Sequence, residues 1–355
     1  MSRRAAIASL LLALACLYPQ SHAGSQGAKP QQAHPGLKLL GTLAQQANAR
    51  LSIAVWYPSL RSPSDIRIGS RLMLAAQNGK AFPGFYPVLL ISHDAGGSRF
   101  ALHDLAEFLA RNGFVVIAPS HPGDTADDAS LFFTAAYLVD RPRHILAALE
   151  AALKDPELAP LCDTSRIGLM GVGSGTATVL QLAGAVPDAG KLIPYCADNS
   201  TDPFCSPYIL QHMPAMEKEL ARLHSRMGTA ATNPPESPRT IKAMALIAPG
   251  LSPLFPAQNL RNLVMPAAII AAEDDEVYPA QPNCRELRQR LPNPALAIDI
   301  PSVGHNALQA PCPQVFSHPF TALCGKTTPM DDEARTLRNK ALAEFFRQHL
   351  NAPPQ

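Results

Sequence analysis

The chain has 355 residues, 47% of them hydrophobic and 16% charged, a composition that excludes disorder as its main state. Lys and Arg number 30 against 28 Asp and Glu, a formal charge of +2, which excludes nucleic-acid binding through a basic surface. No apolar run reaches the roughly 20 residues of a membrane-spanning helix, and the 35 prolines are scattered, pointing to many loops.

Arg3 and Arg4, the apolar run Ala5–Leu17 and the small-residue end at Ala23 have the form of a secretory signal. Residues 1–23 are therefore expected to direct export to the periplasm or beyond, with lipid anchoring at Cys16 as the alternative. Residues 24–49 read as a linker, and residues 50–350 as one folded domain. Of seven cysteines, six lie after the signal. An even number in an oxidising compartment favours disulfides, with Cys196–Cys205 and Cys312–Cys324 as local staples among fifteen connectivities. No CxxC pair or His spacing suggests a metal.

Leu51–Tyr57 alternates as a strand ended by Pro58, and Val88–Ser92 is a continuous apolar run of the kind buried on both faces. Leu102, Leu105, Ala106 and Leu109 recur at helical spacing before Asn112-Gly113. Phe114–Ala118 is the next strand, and Ile145, Leu146, Leu149 and Leu153 line a second helix. Ile167–Met170 runs into a glycine-rich turn and the helical Ala177–Ala183. Strands follow at 243–247, 267–271 and 296–300, then a terminal helix, Ala334–Leu350, packed through Leu337, Leu342, Phe345 and Phe346. Alternating strands and helices predict an α/β fold with a mostly parallel sheet covered on both faces. Lys191–Thr240, polar and proline-rich with a helix over 214–227, interrupts the alternation before the sixth core strand. It reads as a lid-like insertion or, equally, a stapled surface loop.

Gly171-Val-Gly-Ser-Gly175 sits between strand and helix. It is read as a nucleophile elbow, which pushes a side chain out above the sheet, or as glycines that only allow close packing. A dinucleotide turn is disfavoured because Thr176 stands where a third glycine belongs. Downstream, Asp275 and His305 follow successive strand ends, so nucleophile, acid and histidine come in the order of acyl-transfer hydrolases. The acid orients the imidazole, the imidazole takes the nucleophile's proton, and backbone N–H groups receive the oxyanion.

With Val55-Trp-Tyr-Pro58, Ser92-His-Asp-Ala-Gly-Gly-Ser-Arg99, Ala118-Pro-Ser-His-Pro-Gly123, Arg141-Pro142, Arg166-Ile-Gly168, Asp274-Asp-Glu-Val-Tyr-Pro279 and Gly304-His305, the chain resembles secreted dienelactone-hydrolase-like α/β-hydrolases, related to platelet-activating-factor acetylhydrolases. The resemblance implies an α/β-hydrolase fold, Asp275 as acid, His305 as base and the Ala95 N–H as one oxyanion donor; serine acyl transfer needs no cofactor. Two positions depart from the family pattern. Gly173 stands where the family has its serine, with Ser174 one place later, and His93-Asp94 replaces His-Gly before the oxyanion donor. A one-residue slide would make Ser174 the nucleophile and Gly175 the second donor. Two functions follow: an exported serine hydrolase of carboxylic esters with small or medium acyl groups, or a non-catalytic relative that binds a small apolar or ester ligand. The composition leaves the oligomeric state open.

Overall fold

The computed structural model describes residues 33–45, 48–68, 71–132, 134–227, 241–311 and 329–350. Their strands are β1 His34–Ala44, β2 Ala49–Ser59, β3 Ser64–Ile68, β4 Arg71–Gln77, β5 Tyr86–Ser92, β6 Val115–Pro119, β7 Cys162–Val172, β8 Ile241–Ile247, β9 Ala267–Ala272 and β10 Leu296–Ile300. They pair as one sheet in the order β10-β9-β8-β7-β5-β6-β2-β1-β4-β3. From β6 to β10 every neighbouring pair is parallel, whereas β2 joins β6 antiparallel. The principal helices are α1 His103–Arg111, α2 Ala135–Lys154, α3 Gly175–Leu182, α4 Leu192–Asp198, α5 Met213–Met227 and α6 Pro329–Leu350.

The continuous apolar runs are explained by two cores. Val88 and Leu90 of β5 pack with Ile145 and Leu149 of α2 and Val179 of α3. Their chain neighbours Leu89 and Ile91 point to the opposite face, with Leu105 and Leu109 of α1 and Phe346 of α6. Alternate residues of a strand face opposite ways, so a strand covered on both sides has no polar register to keep.

Three expectations are corrected. Residues 34–44 are not linker: β1 pairs with β2 along its length, placing Leu37 in the core, and its run of turn and strand residues carried too weak an alternation to announce this. Pro58 lies inside β2 and does not end it. Leu337 of α6 is exposed, and the adjacent Arg338 is fully buried, donating to the Leu308 carbonyl and to Asp104.

Within residues 191–240 the described part contains α4, a short turn at Pro203–Cys205 and α5, with a disulfide joining Cys196 and Cys205. Cys162 and Cys284 are buried and unpaired. Cys312 and Cys324 lie outside the described residues. Among the described residues no helix is long and apolar enough to cross a membrane.

Parallel strands align their C-terminal ends, and this edge collects the loops that carry function in such folds. The loops after β5, β7, β9 and β10 hold Asp94, Gly173, Asp275 and His305, so residues far apart in sequence meet on one rim.

Candidate active site

Gly173 turns the chain sharply between β7 and α3, with φ of +56°. The glycines two places either side fix where the turn is centred. A Cβ on Gly171 would press into the Gly175 carbonyl, and one on Gly175 into that of Ser92. These crowded positions flank residue 173, so a slide that centred the elbow on Ser174 would put Val172 and Thr176 in their place. The outward-pointing position belongs to Gly173, and it has no side chain to offer.

That space is filled from another loop. A Cβ on Gly173 would overlap the carboxyl group of Asp94. Asp94 Oδ1 accepts the Ser174 backbone N–H at 2.7 Å and the Tyr278 hydroxyl at 3.3 Å, and the Ala95 N–H also bonds the Asp94 carboxyl group. Asp94 Oδ2 lies 2.8 Å from His305 Nε2. On the other side of the ring, His305 Nδ1 is 2.8 Å from Asp275 Oδ2, while Asp275 Oδ1 accepts the N–H groups of Val277 and Tyr278. Glu276 adds a bond to the His305 N–H at 3.0 Å and fixes the loop.

Burial favours the neutral imidazole, but Asp275 and Asp94, one on each nitrogen, outweigh it and push the His305 pKa up to about 10. Burial likewise opposes the Asp94 charge, and the hydrogen bonds from His305, Ser174 and Ala95 overcome it, so the carboxyl stays ionised. The resting centre is an imidazolium clamped between two carboxylates.

Ser174 is on the other side of this wall. Its Oγ accepts from Arg141 Nη1 at 3.0 Å, and its side chain also interacts with the hydroxyls of Tyr137 and Tyr278. The expected roles of Ser174 and Gly175 are thereby corrected: Asp94 takes the His305 nitrogen that Ser174 needed, and the elbow's N–H donor is that of Ser174 itself. Ala95 does present its N–H at this point, but to Asp94.

Arg141 organises the floor. Its guanidinium is paired with Asp124 at 2.8 Å and donates to the Tyr137 hydroxyl, to Ser92 Oγ and to the His93 carbonyl. Burial, aided by the Arg141 charge, drops the His93 pKa to about 3, so that ring is neutral. Its Nε2 accepts the His121 N–H, which leaves Nδ1 to donate to the Asp94 carbonyl and hold that backbone. Asp94 was visible in the sequence only as a departure, and Tyr278 only as part of the Asp274–Pro279 segment; Tyr137 and Asp124 gave no signal.

Next to this centre is an apolar cavity of about 180 Å³ whose walls include Ala95, Tyr137, Tyr278 and Val277. Pro203, Phe204, Met213 and Met216 of the 191–240 segment close another side. Among the described residues no cluster of three or more His, Cys, Asp or Glu is arranged to hold a metal.

A mostly parallel sheet with a glycine elbow after one strand and an acid–histidine pair after later strands is the arrangement of the α/β-hydrolase fold, and the chain has that fold. The structure is similar to a ferulic acid esterase from Streptomyces cinnamoneus, with a TM-score of 0.57 and 19% identity over 92% of this chain and 93% of that one. It is also similar to an acylaminoacyl peptidase from Pyrococcus horikoshii, with a TM-score of 0.52 and 13% identity over 92% of this chain and 43% of that one. No curated protein sequence matches it. Residues 74–207, which span the Asp94 loop, Arg141 and the elbow, match the model of the dienelactone hydrolase family.

Proposed function

We propose that this protein is a hydrolase of small, largely apolar esters and that its nucleophile is Asp94. One observation carries the reading: the Asp94 carboxylate occupies the space at Gly173, with one oxygen on the Ser174 N–H and the other on His305. Carboxylates serve as covalent nucleophiles where a base can release the intermediate. The match to the dienelactone hydrolase family and the likeness to an esterase support an ester substrate.

Asp94 Oδ2 attacks the ester's carbonyl carbon, the bond to the leaving oxygen breaks, and His305 gives that oxygen its proton. An acyl anhydride on Asp94 and a neutral imidazole remain. His305, oriented by Asp275, then takes a proton from water, and the hydroxide adds to the Asp94 Cγ. Charge develops on Oδ1, where the Ser174 N–H and the Tyr278 hydroxyl already point. Collapse releases the acid and restores the carboxylate. One such donor is worth about 3 kcal/mol in related oxyanion sites.

Hydrolysis of p-nitrophenyl acetate and butyrate tests this. Asp94→Ala should lower kcat by about 10³-fold or more, and Ser174→Ala by less than about tenfold. Loss of activity in the serine variant alone would restore Ser174 to the mechanism. The second reading, a non-catalytic holder of the same ligands, is favoured by the resting ion pair that occupies both His305 nitrogens. It predicts binding of these esters with no turnover. The signal-like residues 1–23 and the Cys196–Cys205 disulfide support export as the setting.

A further inference from the structure

The two ends of the sheet carry charge. β3, at one end, holds Asp65 and Arg67, and β10, at the other, holds Asp299, paired with Arg285 and Arg288. Charged edge strands of this kind keep a sheet from pairing with another chain. A further edge lies between them. β1 pairs with β2 along its whole length but meets β4 only at Gly36 and Leu37, so from Lys38 to Ala44 one side of the strand has no neighbouring strand among the described residues.

The Leu37 carbonyl accepts the Asn78 N–H at 2.8 Å, so residue 37 turns its backbone groups away from β2. Every second residue of an antiparallel strand points its N–H and C=O to the same side, which sets Leu39, Gly41 and Leu43 along the open edge. Leu39 is 37% exposed and Leu43 54%, and Gly41 between them is exposed as well. Residues 39–44 include no charge and no proline, so neither device blunts this edge. The strand is already ordered by β2, and Leu40 packs on the core from the other face, so pairing here needs no prior folding.

We propose that this edge pairs with the same edge of a second copy, joining two sheets into one across a two-fold axis at Gly41. The spacing is self-complementary. With the strands antiparallel, Gly41 meets its own counterpart, and Leu39 meets Leu43 of the second copy on both sides of the axis. Each of these residues exchanges N–H···O bonds with its counterpart, as hydrogen-bonded pairs of an antiparallel sheet do, and the facing leucines touch on one face. The contact is isologous and closes at two copies. Charge complementarity favours a copy over a charged peptide. Lys38 falls opposite Ala44 of the second copy and is neutralised within its own chain by Asp155 and Glu157, at 2.8 and 2.6 Å. No like charges therefore face each other, and a strongly acidic or basic segment would find no opposite charge on the strip itself.

Sedimentation equilibrium of the purified protein over a range of concentrations tests this. The expected mass is twice that of one chain at high concentration, falling toward one chain on dilution. Leu39→Lys with Leu43→Lys sets like charges opposite each other and should raise the dimer's Kd by about tenfold or more at low salt. Both positions are exposed, so circular dichroism and Tm should match the wild type. Leu39→Lys with Leu43→Glu makes the same pairs opposite in sign and should restore the dimer, which added salt then weakens. A single-chain mass at every concentration would overturn the proposal and leave the edge to a different segment or an uncharged peptide. A dimer that survives the double lysine change would lie on another face and overturn it too. A charge-swapped variant no better than the double lysine one would refute the register about Gly41. Each result is independent of which group attacks the substrate.

Discussion

Exchanging the two departures from the family pattern is the sharpest probe of this site. Gly173→Ser alone places a side chain on left-handed backbone, costing about 1–2 kcal/mol. It also drives the Asp94 carboxyl out of its place. Breaking a buried ion pair of this kind costs about 3–5 kcal/mol, so the single variant should lose about 4–7 kcal/mol in all. Asp94→Gly alone loses the same pair, about 3–5 kcal/mol. The double variant loses that pair once and keeps only the backbone term, giving about 4–7 kcal/mol rather than the sum. The coupling energy is therefore about 3–5 kcal/mol, the cost of the pair itself. Urea unfolding of the four proteins at pH 7 measures it, with a fluorophosphonate probe as second readout: only the double variant should label at position 173. Stabilities that add within about 0.5 kcal/mol would show that Gly173 and Asp94 do not share this space, and the reasoning would fail.

Other perturbations follow from the same geometry. His305 titrates near 10 when folded against an ordinary 6.5, so its stabilising contribution is full below pH 6.5 and is lost as pH rises toward 10. Unfolding free energy should fall by about 1.4 kcal/mol per pH unit across that window in the wild type and stay flatter in His305→Gln; equal slopes would refute the clamped imidazolium. Reducing Cys196–Cys205, which closes a short loop, should cost about 2–3 kcal/mol, seen as a lower Tm with dithiothreitol. Phe204→Ala opens the cavity wall and should improve kcat/KM for p-nitrophenyl hexanoate relative to acetate by about tenfold. An unchanged ratio would remove the 191–240 segment from substrate selection.

The core of the fold was legible because its strands are buried on both faces: Val88–Ser92 and Phe114–Ala118 have no other stable reading. The acid and histidine were legible because each follows a strand end in a fixed order. What escaped was set by tertiary contact. β1 depends on β2 for its hydrogen bonds and for the burial of Leu37, and nothing local marks that pairing. Leu337 and Arg338 exchange roles because α6 meets Asp104 of α1 and the carbonyl of Leu308, so the helix rotates to satisfy a buried guanidinium. Tyr137 and Tyr278 resemble ordinary core aromatics until the loops converge.

The elbow departures were each legible singly and misleading when weighed apart. An aspartate in an oxyanion loop is unfavourable if a neighbouring serine must develop negative charge there. A glycine at the nucleophile position is inert by itself. Placed together, each removes the other's cost. Gly173 frees the volume and the left-handed turn, Asp94 supplies a charge to the imidazolium, and the backbone donors that would have held a substrate oxygen satisfy that charge. With a serine retained at 173, Asp94 would have neither room nor a free His305 nitrogen. With a glycine retained at 94, the buried imidazolium would face empty space. The two positions are therefore physically coupled, and a change at either one alone unsettles the buried centre.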